Sequence, residues 1–570
     1  MKKIIKIIFI PLFSFLFPSF LTSCSANEGF YFANFESYIS QDLLDELESG
    51  ELKGFNGTQI DDFNYRTFTT NEDLERNFVT NYNMAVPSTY LTVKLANEGQ
   101  LLPIDWKKFN LYKLDENGMR TNEKIEKASD ALTLFTPQVR SILLTYSLEE
   151  AYEKDKNFNI DPCGGLLNYC VPYFLQNFGF AYKTNDGKSW DEFNSEYSWK
   201  TIVDSIKKHD NYVNKVSAVD DSRTLYSIGR LVETNDQNIN PGPLQPQLST
   251  TYETVDTEID YSKTYQNLIT GIPRNKYYLN SDSNNVLNSF AALNGSEAIF
   301  SYNGDILFGI QGGDNYAYDE EDPSDFQEWI ENYIDKSALS DENNPEKNQE
   351  FFIKNVSPSN SFLLLDTMVI NRNRVKSEKE KNLAYSILYK IGLEGSDLSL
   401  YKDSKKTEYS DSAIFDENVD KNGNEVFLYG PAQNFDYVQY TSPLLTLNAY
   451  VLNSDSNIDQ YNNNDVIPSY NLYNSLSSNV NRKGYFTDIY KEENIVKDDT
   501  NNGFLTETQY WNYIDTLISV YQIRNLGNES KSQDCSGVEY YISNFTPRNI
   551  SDLNKSNMSW AYSDVKSNYF

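Results

Sequence analysis

The chain has 570 residues and a mass of 65.7 kDa, more than one ordinary domain needs; 39% of it is apolar, 23% charged and 14% aromatic, with 43 Tyr and 33 Phe to carry burial. That composition excludes a chain disordered throughout and one embedded in a membrane, and a single histidine, His209, excludes multi-histidine metal sites and most histidine-dependent hydrolase chemistry. A net charge of -33 makes nucleic acid and anionic lipid poor partners and would draw in a cationic ligand, although acidity also simply keeps an exported protein soluble.

In chain order, Lys2, Lys3 and Lys6 precede an apolar run from Ile7 to Leu21 broken by Pro11 and Pro18. The run is too short and too kinked for a comfortable membrane span and reads as a signal peptide over 1–23. It ends in Leu21-Thr22-Ser23-Cys24, similar to a bacterial lipobox, so Cys24 is expected to carry a diacylglyceryl group whose two chains tether the protein to the outer face of the cell membrane through residues 24–30. Phe30-Tyr31-Phe32 predicts a strand, and Asp42 to Leu47 opens a helix with Leu43, Leu44 and Leu47 on one face. Phe63, Tyr65 and Thr67 alternate as a second strand, and a helix starts near Asn71. Met84-Ala85-Val86 is a short buried strand, after which Ser88 has N-cap chemistry for a helix that stops at Gly99. This β-α-β-α order predicts a parallel-rich sheet with helices on both faces. Later, the strand Phe362 to Ile370 leads to a helix from Glu378 to Ile391. Polar stretches at 234–248, 340–348, 402–425 and 454–465 are expected as surface insertions or disordered loops. Behind the anchor remain Cys163, Cys170 and Cys535, enough for one disulfide; Cys163 and Cys170 enclose a small loop that a bridge would close, and two buried free thiols are the alternative.

Ala85-Val86-Pro87-Ser88-Thr89-Tyr90, followed by Leu95-Ala96-Asn97-Glu98-Gly99-Gln100-Leu101-Leu102-Pro103-Ile104-Asp105, resembles the first-lobe motif of the bacterial spermidine/putrescine-binding proteins of ABC transporters. Other segments resemble that family in the same order. They are Ala33-Asn34-Phe35-Glu36-Ser37-Tyr38, Val171-Pro172-Tyr173, Ala218-Val219-Asp220-Asp221-Ser222-Arg223, Ser301-Tyr302-Asn303-Gly304, Leu364-Leu365-Asp366-Thr367 and Gln439-Tyr440-Thr441-Ser442-Pro443. The resemblance spans Phe35 to Pro443, and it implies a two-lobe α/β fold of the type II periplasmic-binding-protein class, with parallel-rich sheets, hinge strands and large polar insertions. Lobe one would be 31–174 plus 366–450, and lobe two 175–365 plus 451–570.

The implied function is that of an extracellular, lipid-anchored, monomeric receptor that delivers polyamines to an ABC permease, with no cofactor, no metal and no enzymatic step. Asp221 and Asp366 would take the amines, Phe35, Tyr38, Tyr90, Tyr302 and Tyr440 would line the slot, and Ser88 and Glu36 would add polar contacts. The chemistry agrees, because a polyamine needs carboxylates a chain-length apart with aromatic faces between them. Other roles stay open for several of these residues: Asp221 and Ser88 as helix N-caps, Asp366 as a strand-end loop acid, Glu36 as a solvated side chain. The chain also departs from the family, with Thr224 where a second acid is common, Leu364 where a tryptophan precedes the second aspartate, and Phe35 and Tyr302 in place of tryptophans. The alternatives are therefore a surface lipoprotein that uses the same scaffold for adhesion or partner binding, or a receptor for another small cation such as thiamine.

Overall fold

The computed structural model describes residues 29–50, 60, 63–115, 120–184, 191–193, 198–208, 216–233, 261–269, 277–292, 295–311, 352–356, 358, 361, 363–397, 416–419, 425–426, 430–451, 485–486, 507–523, 531–533, 539–541 and 552–569. The signal sequence, Cys24, His209 and the insertions at 234–248, 340–348 and 454–465 lie outside the described residues, as does 402–425 apart from 416–419 and 425.

Among the described residues, nine strands join in one sheet: β1 (Phe30–Phe35), β2 (Phe63–Phe68), β3 (Met84–Ala85), β4 (Cys170–Thr184), β5 (Val216–Val219), β6 (Tyr277–Asn280), β7 (Ala298–Tyr302), β8 (Phe352–Val356) and β9 (Leu363–Ile370). Their spatial order is β2-β1-β3-β9-β4-β7-β5-β6, with β8 also paired to β4. Each arm is parallel, β1 with β2 and β3 on one side and β5 with β6 and β7 on the other. The middle is antiparallel, because β4 and β9 run across from one arm to the other and pair with each other. This is a mixed α/β fold in which two parallel arms are joined by crossing strands.

The crossing strands follow from composition. Every residue from Cys170 to Lys183 is buried, which matches a near-continuous apolar run covered on both faces. Pro172 has no N–H to give to a neighbour, and the pairing slips there: Asp366 faces Phe174 while Thr367 faces Pro172, so Tyr173 is the extra residue of a bulge. The irregularity falls beside the one acid of β9.

The helices obey their caps. Gln41–Ser49 starts at Ser40, whose hydroxyl accepts from the Leu43 N–H, buries Leu43, Leu44 and Leu47, and ends at Gly50 with φ 71°. Glu378–Leu388 opens with a Ser377/Glu380 capping box. It does not stay α-helical to Ile391 as the spacing predicts; Tyr389–Leu393 is a π turn. Gly392 in that turn lies against the crossing strands, where a Cβ would come within 2.3 Å of Met368 and 3.1 Å of Val171, so packing there overrides the α period.

Two cores result. One gathers Phe32, Trp106, Phe135 and the apolar residues of β9, and the other gathers Phe180, Trp199, Tyr226 and Tyr265. The chain beyond 451 touches both. Asp552–Tyr569 buries Met558, Tyr562 and Val565 in the second core, yet its Lys555 reaches Glu75 on the helix Asn71–Asn81 of the first arm at 3.3 Å. Glu507–Tyr521 lies at the junction, where the Tyr521 carbonyl accepts from Thr441 Oγ1 at 2.6 Å and from Asn303.

Neither cysteine alternative holds. Cys163 is disulfide-bonded, whereas Cys170 is a buried free thiol that donates to the Leu166 carbonyl, and burial pushes that thiol up. The partner of Cys163 is therefore not Cys170, and it lies outside the described residues. Loop length alone made the short bridge look accessible, but Cys170 begins β4 and turns inward.

Candidate functional site

Asp366 interrupts the apolar run of β9 and is 1% exposed. Its Oδ1 accepts from Ser88 Oγ at 2.7 Å, and its Oδ2 accepts from the Tyr38 hydroxyl at 2.8 Å and from Gln176 Nε2 at 2.5 Å. All three donors are neutral. Burial pushes the carboxyl up to about 6, against the pull of the Ser88, Tyr38 and Gln176 hydrogen bonds. A carboxylate so placed is solvated by dipoles alone and would gain most from a cation.

Ser88 stands at the N-cap position of the helix Thr89–Asn97, as its sequence context suggests, but its side chain makes no cap bond. The hydroxyl goes to Asp366 instead and accepts from Asn71 Nδ2 at 3.0 Å. Asp366 is thus not a strand-end loop acid: a bridge pairs it with Ser88 across the first arm. Tyr38 reaches it because Ser37, at φ 51°, turns the chain sharply after β1. The same turn leaves Glu36 exposed, away from the group around Asp366, which is the solvated alternative.

The aromatic candidates line up beside this acid. The Tyr38 ring meets Phe35 at 5.8 Å and Tyr440 at 5.4 Å between centroids, and Tyr302 packs edge-on to Phe178 at 4.9 Å. Tyr90 lies beneath the Arg223 guanidinium, 4.0 Å from the ring centroid. Burial raises the Tyr90 and Tyr302 phenols, and the Asp221 and Asp366 carboxylates both push them further the same way. Asp221, just past β5, and Asp366, on the crossing strand β9, therefore act on the same two rings. Asp221 also fulfils its structural alternative, since its Oδ2 accepts the Thr224 N–H at 2.7 Å and so caps the helix Ser222–Glu233.

Three participants escape a reading by motif. Gln176 binds both Tyr38 and Asp366, and its signal was a polar pair, Gln176-Asn177, inside the apolar run of β4. Asp305 accepts from Ser301 Oγ and from the Tyr440 hydroxyl; its signal was an acid in the otherwise apolar helix Asn303–Ile310. Arg223 sits within a quoted motif, but only folding brings it over Tyr90. These elements share one feature: Phe35, Ser88, Asp221 and Tyr302 all lie at or just beyond the carboxyl ends of parallel strands, where open α/β sheets leave room for a ligand.

Among the described residues no group of three or more His, Cys, Asp or Glu could hold a metal ion, and no helix is long and apolar enough to cross a membrane. A family model described as a hypothetical lipoprotein (MG045 family) matches residues 1–569. A comparison with curated proteins finds no match. Among solved structures, the chain is similar to the spermidine/putrescine ABC transporter substrate-binding protein PotD of Streptococcus pneumoniae, at 14% identity and a TM-score of 0.38, covering 86% of this chain and 99% of that one. It is also similar to the Tp0655 (TpPotD) lipoprotein of Treponema pallidum, at 14% identity and a TM-score of 0.36, covering 65% of this chain and 83% of that one.

Proposed function

The chain belongs to the hypothetical lipoprotein (MG045) family, and from that premise we propose that it is a solute-binding protein, lipid-anchored on the extracellular face of the cell membrane, that takes a polyamine and presents it to an ABC permease. The observation that carries this reading is Asp366: a carboxylate 1% exposed, held by neutral donors only, among the rings of Tyr38, Tyr440 and Phe174. An ammonium group would supply the missing countercharge, and the rings would cover its methylene chain. Asp221, acting on the same two phenols from the end of β5, supports a second ammonium position. The lobes in this reading are the ones expected from chain order, closing on the ligand about β4 and β9. Binding makes and breaks no covalent bond, so the reading asks for no catalytic group.

The test is a thermal-shift panel with putrescine, spermidine, spermine and thiamine, on the wild type and on Asp366→Asn. A ligand that binds only the folded state raises the melting temperature. A polyamine should raise it in the wild type, and Asp366→Asn should weaken the binding at least about tenfold, since a charge-assisted contact to a desolvated ammonium contributes about 1.5 to 3 kcal/mol. A response to thiamine alone would replace polyamines by another cation, and no response to any of the four would remove the transport reading.

A further inference from the structure

Gln176 interrupts the buried run of the crossing strand β4 and is itself 5% exposed. Register decides where its side chain goes. β9 pairs Asp366 with Phe174 and Leu364 with Gln176, so by the two-residue period of a strand all four lie on one face, and Gln176 is the diagonal neighbour of the acid. Its Nε2 donates to Asp366 Oδ2 at 2.5 Å and to the Tyr38 hydroxyl at 2.6 Å, while Tyr38 donates to the same Oδ2 at 2.8 Å. Amide nitrogen, phenol and carboxylate oxygen thus close a triangle that uses both N–H groups of the amide. The Phe174 ring backs it, 5.5 Å from the Tyr38 ring between centroids.

We propose that Gln176 is a positioning residue of the candidate site: its amide clamps Asp366 and Tyr38 into one unit and keeps the acid in its carboxylate form for a cation, without itself carrying charge. The identity of that cation rests on the polyamine reading above; the hold on Asp366 does not. A lysine or arginine in this place would supply the countercharge itself and leave a ligand's ammonium little to gain. A neutral donor stabilises the ionised form and leaves its charge to be met. A carboxylate offers about four lone-pair positions, of which Ser88, Tyr38 and Gln176 take three, so one stays open for a ligand N–H. Burial raises the Asp366 carboxyl to about 6, and the Gln176 hydrogen bond is one of three that oppose the rise. The phenols that face the acid from the surrounding elements, Tyr38, Tyr90, Tyr173, Tyr302 and Tyr440, are all raised by burial and stay neutral through that range. Beyond them stand Arg223 over Tyr90 and Asp221 at the cap of Ser222–Glu233. The Asp305 carboxyl is also raised by burial, but it bonds Tyr440 and Ser301, so a change at Gln176 leaves it those partners.

The experiment uses the full chain in detergent as wild type, Gln176→Met and Gln176→Leu; the first keeps the length of the side chain, and both remove its donors. Infrared titration of the ligand-free proteins follows the carboxylic C=O band that Asp366→Asn abolishes, and calorimetry follows putrescine and spermidine affinity from about pH 5 to about pH 8. Either folded variant should move the infrared midpoint up by at least about one pH unit, and the pH at which affinity falls away should move up with it. At pH 7 both amines should then bind at least about twofold more weakly, because the acid is half protonated there. An unmoved midpoint overturns the proposal even where affinity drops, since a uniform loss at every pH is what a merely structural side chain would give. A midpoint that moves while the affinities keep their wild-type pH profile overturns it too, by separating Asp366 from the cation. If the wild type binds neither amine, the polyamine reading fails, and the infrared midpoint alone decides for or against Gln176.

Discussion

Asp366 titrates near 3.8 in an unfolded chain and is pushed up to about 6 by burial in the fold. Between those values the native state holds a proton that the unfolded state has released, so this group's contribution to stability falls as pH rises through about 6. The ligand reverses the preference, because an ammonium favours the carboxylate. Spermidine affinity should accordingly be constant above pH 7 and about tenfold weaker at pH 5, one unit below the pKa of the free site. Calorimetry across that range checks it, and an affinity independent of pH would mean that Asp366 does not meet the ligand. In the absence of ligand, Asp366→Asn should stabilise the protein at pH 7, on the order of 1 kcal/mol, with the gain gone by pH 4. Ser88 teaches a related point at the same scale. Its neighbours select it as an N-cap, but the acid across the sheet takes its hydroxyl, because a buried carboxylate left without that donor is costly while the Leu91 N–H at the helix start already donates to the Ser88 carbonyl at 2.9 Å.

At the scale of elements, the start of the helix Asn303–Ile310 works as a unit with Tyr440. A Cβ at residue 304 would sit 2.3 Å from that ring, and both partners lie on backbone too well packed to move freely. Gly304→Ala should therefore destabilise the protein by about 1 to 3 kcal/mol, read in urea unfolding, and weaken ligand binding as the Tyr440 contact to Asp305 is lost. Stability equal to the wild type would show that Tyr440 yields without consequence. The helix Asp552–Tyr569 is the other informative element. Tyr562 and Lys566 hold it to Asp220, next to Asp221, while Lys555 crosses to Glu75. Burial would raise the Glu75 carboxyl, but Lys94 and Lys555 together hold it below the usual range, so the pair is more than a solvated contact. Lys555→Ala should lower stability by no more than about 1 kcal/mol, because both side chains keep some exposure. It should also weaken every ligand by the same factor, since Lys555 ties the arms together away from the cleft; a selective change between putrescine and spermidine would place it in the site.

For the whole molecule, the anchor and the fold are separable. Cys24→Ser should release the protein from the membrane fraction or leave an uncleaved precursor, as detergent partitioning and mass measurement would show, while thermal shift by ligand stays as in the wild type. An unchanged membrane fraction and mass would make the run from Ile7 to Leu21 the anchor. Local chemistry was sufficient for much of the architecture: alternation, caps and glycine stops marked β1 to β3 and their helices, and the long apolar runs marked β4 and β9, because each depends on residues within a few positions of one another. The acid of β9 also stood out in sequence, since a charge inside a buried strand needs a reason. What the sequence could not decide is which side chains meet. Gln176 and Tyr38 converge on Asp366 from 190 and 328 positions away, and Tyr440 reaches Asp305 from 135. Those pairings depend on the register of two crossing strands and on the bulge at Tyr173, and such long-range packing leaves no periodic trace in the chain.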